Sequence, residues 1–189
     1  GYADWNGDQS ASAVSEYYWP ERDTYFISVA RSDADIVDEI VPQYYRTWRG
    51  FYAWDNQATA LAADPKAVPV CRWFFKAPIS SHFYSANQSD CDALKAIYAT
   101  KPEIAEQDTA NAFYIVPASA AGTCDSKYQP VHRLFNEQVN TGKPANHRYT
   151  THPDDIRKMV ALGWRDEGVV FCAPRKKELY AFNLDDSWY

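Results

Sequence analysis

Seven glycines and a single methionine are few for 189 residues, and no apolar run approaches the ~20 residues a membrane span needs. Lys and Arg form no dense cluster. The run Arg175-Lys176-Lys177 is the only candidate and reads as a solvated turn. With 25 acidic against 19 basic residues and a net charge near −6, phosphate neutralisation along a nucleic acid is not expected. No nucleic-acid partner and no membrane span are therefore expected, and with no signal peptide at its start the chain reads as already processed. Catalytic signatures are missing too: there is no Gly-x-Ser-x-Gly elbow, no His-Glu-x-x-His, no phosphate-binding glycine loop and no dinucleotide fingerprint. Carboxylates are plentiful, so a hydrolase working with an acid/base pair stays open as a third reading, but no spacing singles out a pair. No catalytic residue is assigned.

What the chain has in abundance is aromatic side chains, 14 Tyr, 9 Phe and 7 Trp. Its length suits one domain over residues 1–189, able to bury roughly 70% of its unfolded surface. The four cysteines, Cys71, Cys91, Cys124 and Cys172, lack the Cys-x-x-Cys spacing of zinc or thioredoxin sites. An even number spread over separate elements suits two disulfides and an oxidising compartment.

A repeated order of segments runs through the chain. Val131-His132-Arg133-Leu134-Phe135-Asn136 leads to Asn146-His147-Arg148-Tyr149-Thr150-Thr151 and then to the stretch from Gly163 to Phe171. Val70-Cys71-Arg72-Trp73-Phe74-Phe75 leads likewise to Ser81-His82-Phe83-Tyr84-Ser85-Ala86 and to Asn111-Ala112-Phe113-Tyr114-Ile115-Val116. A more worn copy runs from Val14-Ser15-Glu16-Tyr17-Tyr18-Trp19 through Asp23-Thr24-Tyr25-Phe26-Ile27-Ser28 to the stretch from Trp48 to Trp54. The first two segments of each read as a hairpin and the third as a closing strand. Period two puts Val14, Glu16 and Tyr18 on one face, with Val70, Arg72 and Phe74, and Val131, Arg133 and Phe135, as counterparts.

A helix is expected between hairpin and closing strand. Pro153, Asp154, Asp155 and a left-handed exit at Gly163 mark the last one, with Ile156, Met159 and Val160 on its inner face. Cys91, Leu94 and Tyr98 line the middle one; Ser32 caps the first, with Ile36, Val37, Ile40 and Val41 as its stripe. Asn56 to Lys66 and Pro117 to Lys127 read as linkers, and Glu178 to Phe182 as one more edge strand. The expected fold is a β-rich α+β domain of three strand-strand-helix-strand units, about 14–54, 68–116 and 129–173, packed around an approximate three-fold axis.

Pro69-Val70-Cys71-Arg72, Ser81-His82-Phe83-Tyr84-Ser85, Asn146 to Thr151 and Cys172-Ala173-Pro174 resemble a repeat family of unassigned function common in secreted bacterial proteins. Its units run Pro-Val-x-Arg-aromatic, then His-Phe-Tyr-Thr/Ser, a short helix, and Glu-Gly before a final strand. The resemblance covers nearly the whole chain and implies a secreted protein or a non-catalytic module; it supplies no reaction. The first copy departs from it, with Thr24 in the histidine's place, Glu16 for Arg and no Glu-Gly. Of the three pairings open to four cysteines, the one that keeps each bridge local joins Cys71 to Cys91 and Cys124 to Cys172.

These residues lead to a secreted, non-catalytic binding or adhesion module for extracellular polysaccharide or cell-envelope glycan. Trp54, Trp73, Tyr149 and Trp164 are the rings offered for sugar stacking, with His82, Asn146 and His147 as polar contacts. The competing role for the histidines is anchoring a turn, and for Arg72 and Arg133 pairing with Glu16 or Glu167 across unit boundaries. The alternative function is a structural protein that self-assembles or docks on another extracellular chain. No cofactor is expected, apart from a candidate calcium loop at Asp4, Asn6 and Asp8, whose oxygen ligands alternate but whose position for the turn glycine is Gln9.

Overall fold

A computed structural model describes residues 8–30, 32–33, 43–136 and 145–176. Among the described residues nine strands lie in two antiparallel sheets, with three helices. In chain order they are β1 (Ser12–Trp19), β2 (Thr24–Ser28), β3 (Tyr45–Ala53), α1 (Gln57–Ala63), β4 (Val68–Phe75), β5 (Ser81–Ser85), α2 (Gln88–Tyr98), β6 (Ala105–Pro117), β7 (Tyr128–Asn136), β8 (His147–Thr150), α3 (Pro153–Ala161) and β9 (Trp164–Pro174). Every expected strand up to residue 174 is present. The stripe from Ile36 to Val41 and the edge strand from Glu178 to Phe182 lie outside the described residues.

The three-stranded sheet has the order β2-β1-β3 and the six-stranded sheet β5-β4-β6-β9-β7-β8. In each stretch the first strand therefore lies between its hairpin partner and its closing strand. The pairing of first and closing strands slips within three residues of Val14, Val70 and Val131: between Ser15 and Tyr17, between Val70 and Trp73, and between Val131 and Leu134. Such bulges sharpen the twist, which lets a short sheet wrap a core. Register also corrects the first hairpin. Tyr18, four residues after Val14, pairs with Tyr25, as Phe74 pairs with His82 and Phe135 with His147. Tyr25, not Thr24, thus holds the place of the histidine.

One buried cluster joins the two sheets. Val14, Val70 and Val131 come from the first strands, and Ile27, Tyr84 and Tyr149 from the hairpin partners. Phe51, Phe113 and Phe171, followed two residues later by Ala53, Ile115 and Ala173, come from the closing strands. The three phenylalanine rings touch each other pairwise, at centroid separations of 5.9, 5.9 and 6.3 Å. Period-two alternation explains the selection, because these are the positions facing away from the helices.

Helices α2 and α3 lie between hairpin and closing strand as expected, and α3 has the ends its signals mark. Asn87 caps α2 through the amide N–H of Ser89, and α3 starts at Pro153 and is left through Gly163 at φ 96°. Cys91 packs with Trp73 and Leu94 beneath α2; Met159 and Ile156 pack with Leu134 and Trp164 beneath α3. Val160, expected on the inner face, is instead about half exposed. Asn56 to Lys66 is not a plain linker: its alanines form α1, capped by Asn56 Oδ1, and Ala60 is buried. Ala is the best helix former, so an Ala-rich joint gains a turn of helix at little cost.

Both bridges keep to their own stretch, Cys71 to Cys91 over 20 residues and Cys124 to Cys172 over 48. Each removes loop-closure entropy from the unfolded chain, about 3 kcal/mol for the shorter loop and about 4 for the longer. Replacing each pair by alanines is expected to lower the unfolding free energy in urea by these amounts, the longer loop costing more. Equal stability of the variants and the parent would show the bridges to be dispensable.

Candidate functional site

The aromatic residues expected to stack on sugars are used for packing. Trp54, Trp73, Tyr149 and Trp164 are at most 5% exposed. Trp54 sits in a cluster with Tyr52 and Tyr114, and its Nε1 donates to Asp8 Oδ2 at 2.8 Å. Trp73 lies under α2, and Trp164 lies edge-on to Tyr25. Indole and phenol rings bring the largest apolar areas per residue, so a chain with few Leu and Met fills its interior with them. None of these rings has a face open to a ligand.

Tyr149 and Tyr84 serve a different purpose. The Tyr149 hydroxyl donates to Tyr84 O and accepts from Tyr84 N, both at 2.8 Å; the Tyr84 hydroxyl does the same for Ile27, at 2.7 and 3.1 Å. Buried backbone groups at a strand edge cost free energy if left unpaired. Each phenol satisfies a donor and an acceptor together. Burial pushes the Tyr149 and Tyr84 phenols far above their ordinary range, so both stay protonated.

Behind each hairpin partner strand one polar arrangement recurs. Ser28, Ser85 and Thr150 donate to Asp33, Asp90 and Asp155, five residues on, and accept from the amide two residues on. Asp33 in turn holds Arg72 Nη1 at 2.8 Å, with Asp108 on Nε at 2.6 Å. Arg133 pairs with Glu167, within its own stretch, at 2.8 Å. Glu16, expected to take Arg72 or Arg133, instead takes both Nε and Nη2 of Arg148 at 2.9 Å. The guanidinium of Arg72 lies over Phe26, that of Arg133 over Phe83 and that of Arg148 over Tyr25.

Glu16 and Asp155 share Arg148 and are buried with it. They form a closed ionic knot, with neither carboxylate presented to a substrate. Asn146, also buried, donates from Nδ2 to Asp23 O at 2.6 Å and so ties β8 to the first hairpin. Asp8, the one described residue of the candidate calcium loop, accepts from Ser10 and Trp54; Asp4 and Asn6 lie outside the described residues. Among the described residues no group of three or more His, Cys, Asp or Glu is placed to hold a metal, and no helix is long and apolar enough to cross a membrane.

The two equivalent histidines have different surroundings. His147 Nε2 approaches Glu167 Oε1 at 3.3 Å, and its ring lies against Phe135 and Phe83. Burial pulls the His147 pKa down against the pull of that carboxylate. Burial alone would raise Glu167, yet the hydrogen bond from His147 and the charge of Arg133 outweigh it and hold the carboxyl at about 2. The His82 ring lies against Phe26 and Phe74 at 4.8 and 4.9 Å, and among the described residues its buried Nδ1 has no hydrogen-bond partner. Burial and the nearby Arg72 lower its pKa to about 3. Both histidines read as packing residues.

The exposed aromatics are elsewhere, on β3. Tyr45 is 61% and Trp48 65% exposed, and the Arg46 guanidinium lies 4.8 Å from the Trp48 ring centroid. Trp48 stands at φ 62°, three residues before the core Phe51; Gly168 stands at φ 88° three residues before Phe171. A bulky side chain in the left-handed region costs on the order of 1–3 kcal/mol. Sequence reading placed Trp48 only in the closing strand. The available signal was Thr47-Trp48 standing as far before Phe51 as Glu167-Gly168 stands before Phe171.

Stability should fall in acid in two steps. As the pH falls from 6.5 towards about 3 the unfolded chain binds a proton at His82 that the folded chain refuses, and His147 adds a loss of the same sign. Glu167 stabilises the fold above about 4.5, and that contribution is lost as the pH falls towards about 2. His82→Phe is expected to be within about 1 kcal/mol of the parent at pH 7 and to flatten the first step in urea titrations. Glu167→Gln should flatten the second, and unchanged slopes in both variants would refute the assignment.

Residues 43–174 match the family described as "Domain of unknown function (DUF5648)". No curated protein and no solved structure matches the chain. The match runs from just before β3 to the last residue of β9, and over that span, which is most of its length, the chain belongs to the DUF5648 family.

Proposed function

We propose that this chain is a secreted, non-catalytic binding module for extracellular polysaccharide or cell-envelope glycan, built from three diverged units closed around an approximate three-fold axis. Two disulfides among the described residues agree with an oxidising compartment. The binding reading rests on one observation, the exposed aromatic segment Tyr45 to Trp48 on an edge strand. A strained and solvent-facing tryptophan contributes nothing to the core, and strain of this kind is kept where a ligand uses it. Tyr18 extends the surface from Tyr45, being its cross-strand partner, and stacks on Tyr25 at 4.6 Å.

The second reading, docking on another chain, draws on the same edge, since β3 has a hydrogen-bonded neighbour on one side only over Tyr45 and Arg46 among the described residues. The two readings separate on glycan arrays and light scattering. Saturable glycan binding that Trp48→Ala abolishes supports the first. Binding to no glycan, with mass that grows with concentration in the parent and not in Trp48→Ala, would replace it with the second.

The three-unit reading is supported by contacts that follow one another in a circle. Arg72 of the second unit covers Phe26 of the first, Arg133 of the third covers Phe83 of the second, and Glu16 of the first meets Arg148 of the third. Arg72, Arg133 and Glu16 occupy one position; Phe26, Phe83 and Arg148 occupy another. The first-to-third junction has exchanged its chemistry, with a carboxylate for the arginine and an arginine for the ring. Glu16→Arg alone sets two buried cations together, at a cost of about 3 kcal/mol or more. Adding Arg148→Phe recreates the pairing of the other junctions, with Asp155 placed for the new arginine as Asp33 is for Arg72. The double variant is expected to recover at least half of the lost stability in urea. A double variant no better than the single one would sink the equivalence of the three units.

A further inference from the structure

Eight of the described side chains carry a guanidinium near an acid or an aromatic ring, and two of them depart from the rule that governs the rest. Arg49, Arg72, Arg133, Arg148, Arg157 and Arg165 each pair with a carboxylate. Arg22 and Arg46 pair with none among the described residues. Each lies over an indole instead, Arg22 at 5.0 Å from the Trp19 ring and Arg46 at 4.8 Å from the Trp48 ring. Trp19 also touches Tyr44 at 5.6 Å, and Arg22 donates through Nη1 to Pro78 O at 3.3 Å. Arg46 is fixed from below as well, donating through Nη2 to Ser15 Oγ at 2.9 Å.

A guanidinium over a ring still has N–H groups beyond those already engaged, and in Arg46 those other than the Nη2 donor to Ser15 match a carboxylate in the fork geometry. A pyranose bearing a carboxylate presents both a flat apolar face and an anion, so it engages Trp48 with the first and Arg46 with the second. A neutral sugar offers the guanidinium no carboxylate to pair with. The net charge of −6 works against unspecific attraction of polyanions, so a bound polyanion has to be held by local pairing.

We infer that Arg46 and Trp48 form a site for acidic saccharides, that is, uronic-acid units carrying a carboxylate on a pyranose ring. This rests on the glycan-binding reading and narrows it to one chemical class.

The test uses the full chain with polygalacturonate, a neutral galactan, and poly-glutamate as a polyanion without sugar rings, followed by titration calorimetry and Trp fluorescence. Polygalacturonate is expected to bind in preference to both. Arg46→Gln should weaken it about tenfold or more, as loss of a charge-assisted forked pair does; Trp48→Ala should weaken it comparably, and Arg46→Lys should restore only part. Arg157→Gln, on the exposed face of α3, serves as the control and should leave binding unchanged. Thermal melts of Arg46→Gln close to the parent show that the fold is intact. Equal binding of galactan and polygalacturonate, or an Arg46→Gln variant as tight as the parent, overturns the acidic-sugar inference and leaves the glycan reading standing. Equal binding of poly-glutamate overturns it as well, because charge alone would then suffice. Binding to neither polysaccharide removes both readings.

Discussion

Strands β2, β5 and β8 each form the outer member of a hairpin, and their backbone groups face one another inside the molecule. Water does not reach them there. Tyr84 and Tyr149 resolve this by using a phenol as a cross-link, in which one hydroxyl closes two hydrogen bonds to the backbone of the next strand. A phenylalanine at either position would fill the same volume and strand an N–H and a C=O, each at about 1–3 kcal/mol. Ile27, Tyr84 and Tyr149 of these strands pack in one cluster with the triangle of Phe51, Phe113 and Phe171. Around the centre, the paired arginines and carboxylates fix which strand meets which.

Third place in that sequence of phenols falls to Ile27, which has no hydroxyl. The link from the first stretch to the third is polar in another way, through Glu16 with Arg148 and Asn146 with Asp23. Buried ion pairs add less to stability than their geometry suggests, because both ions give up hydration. They are nevertheless costly to break singly. The Glu16–Arg148–Asp155 group is therefore the junction most sensitive to substitution, although it need not contribute most to net stability.

Much of the fold was legible because its signals are local. Strand positions followed from alternating aromatic and β-branched residues, the ends of α3 from Pro153 and Gly163, and the two bridges from keeping each cysteine with its nearest element. Side-chain partners were not legible, since Glu16 finds Arg148 across 132 residues. The register of β2 was misjudged by one residue, which shifted the histidine's place from Tyr25 to Thr24. Composition likewise cannot tell a buried Trp from an exposed one. Trp54 and Trp48 end and interrupt the same strand region, yet Asp8 and Tyr114 enclose the first while a bulge turns the second outward. Helix α1 was missed because alanine and aspartate are as common in linkers as in short helices.

The unlike junction has a bearing on how the chain finds its own partner surfaces during folding. If three units met through three matching contacts, any unit would fit any other, including one from a neighbouring molecule, and exchanged or open-ended assemblies would compete with the closed form. A single anionic position at Glu16 meeting a single cationic one at Arg148 works as a clasp with one correct mate. Misthreaded arrangements would set Glu16 against an aromatic ring or Arg148 against another guanidinium. On the proposed three-unit reading, the unlike pair of Glu16 and Arg148 gives the order of contacts a defined beginning and end.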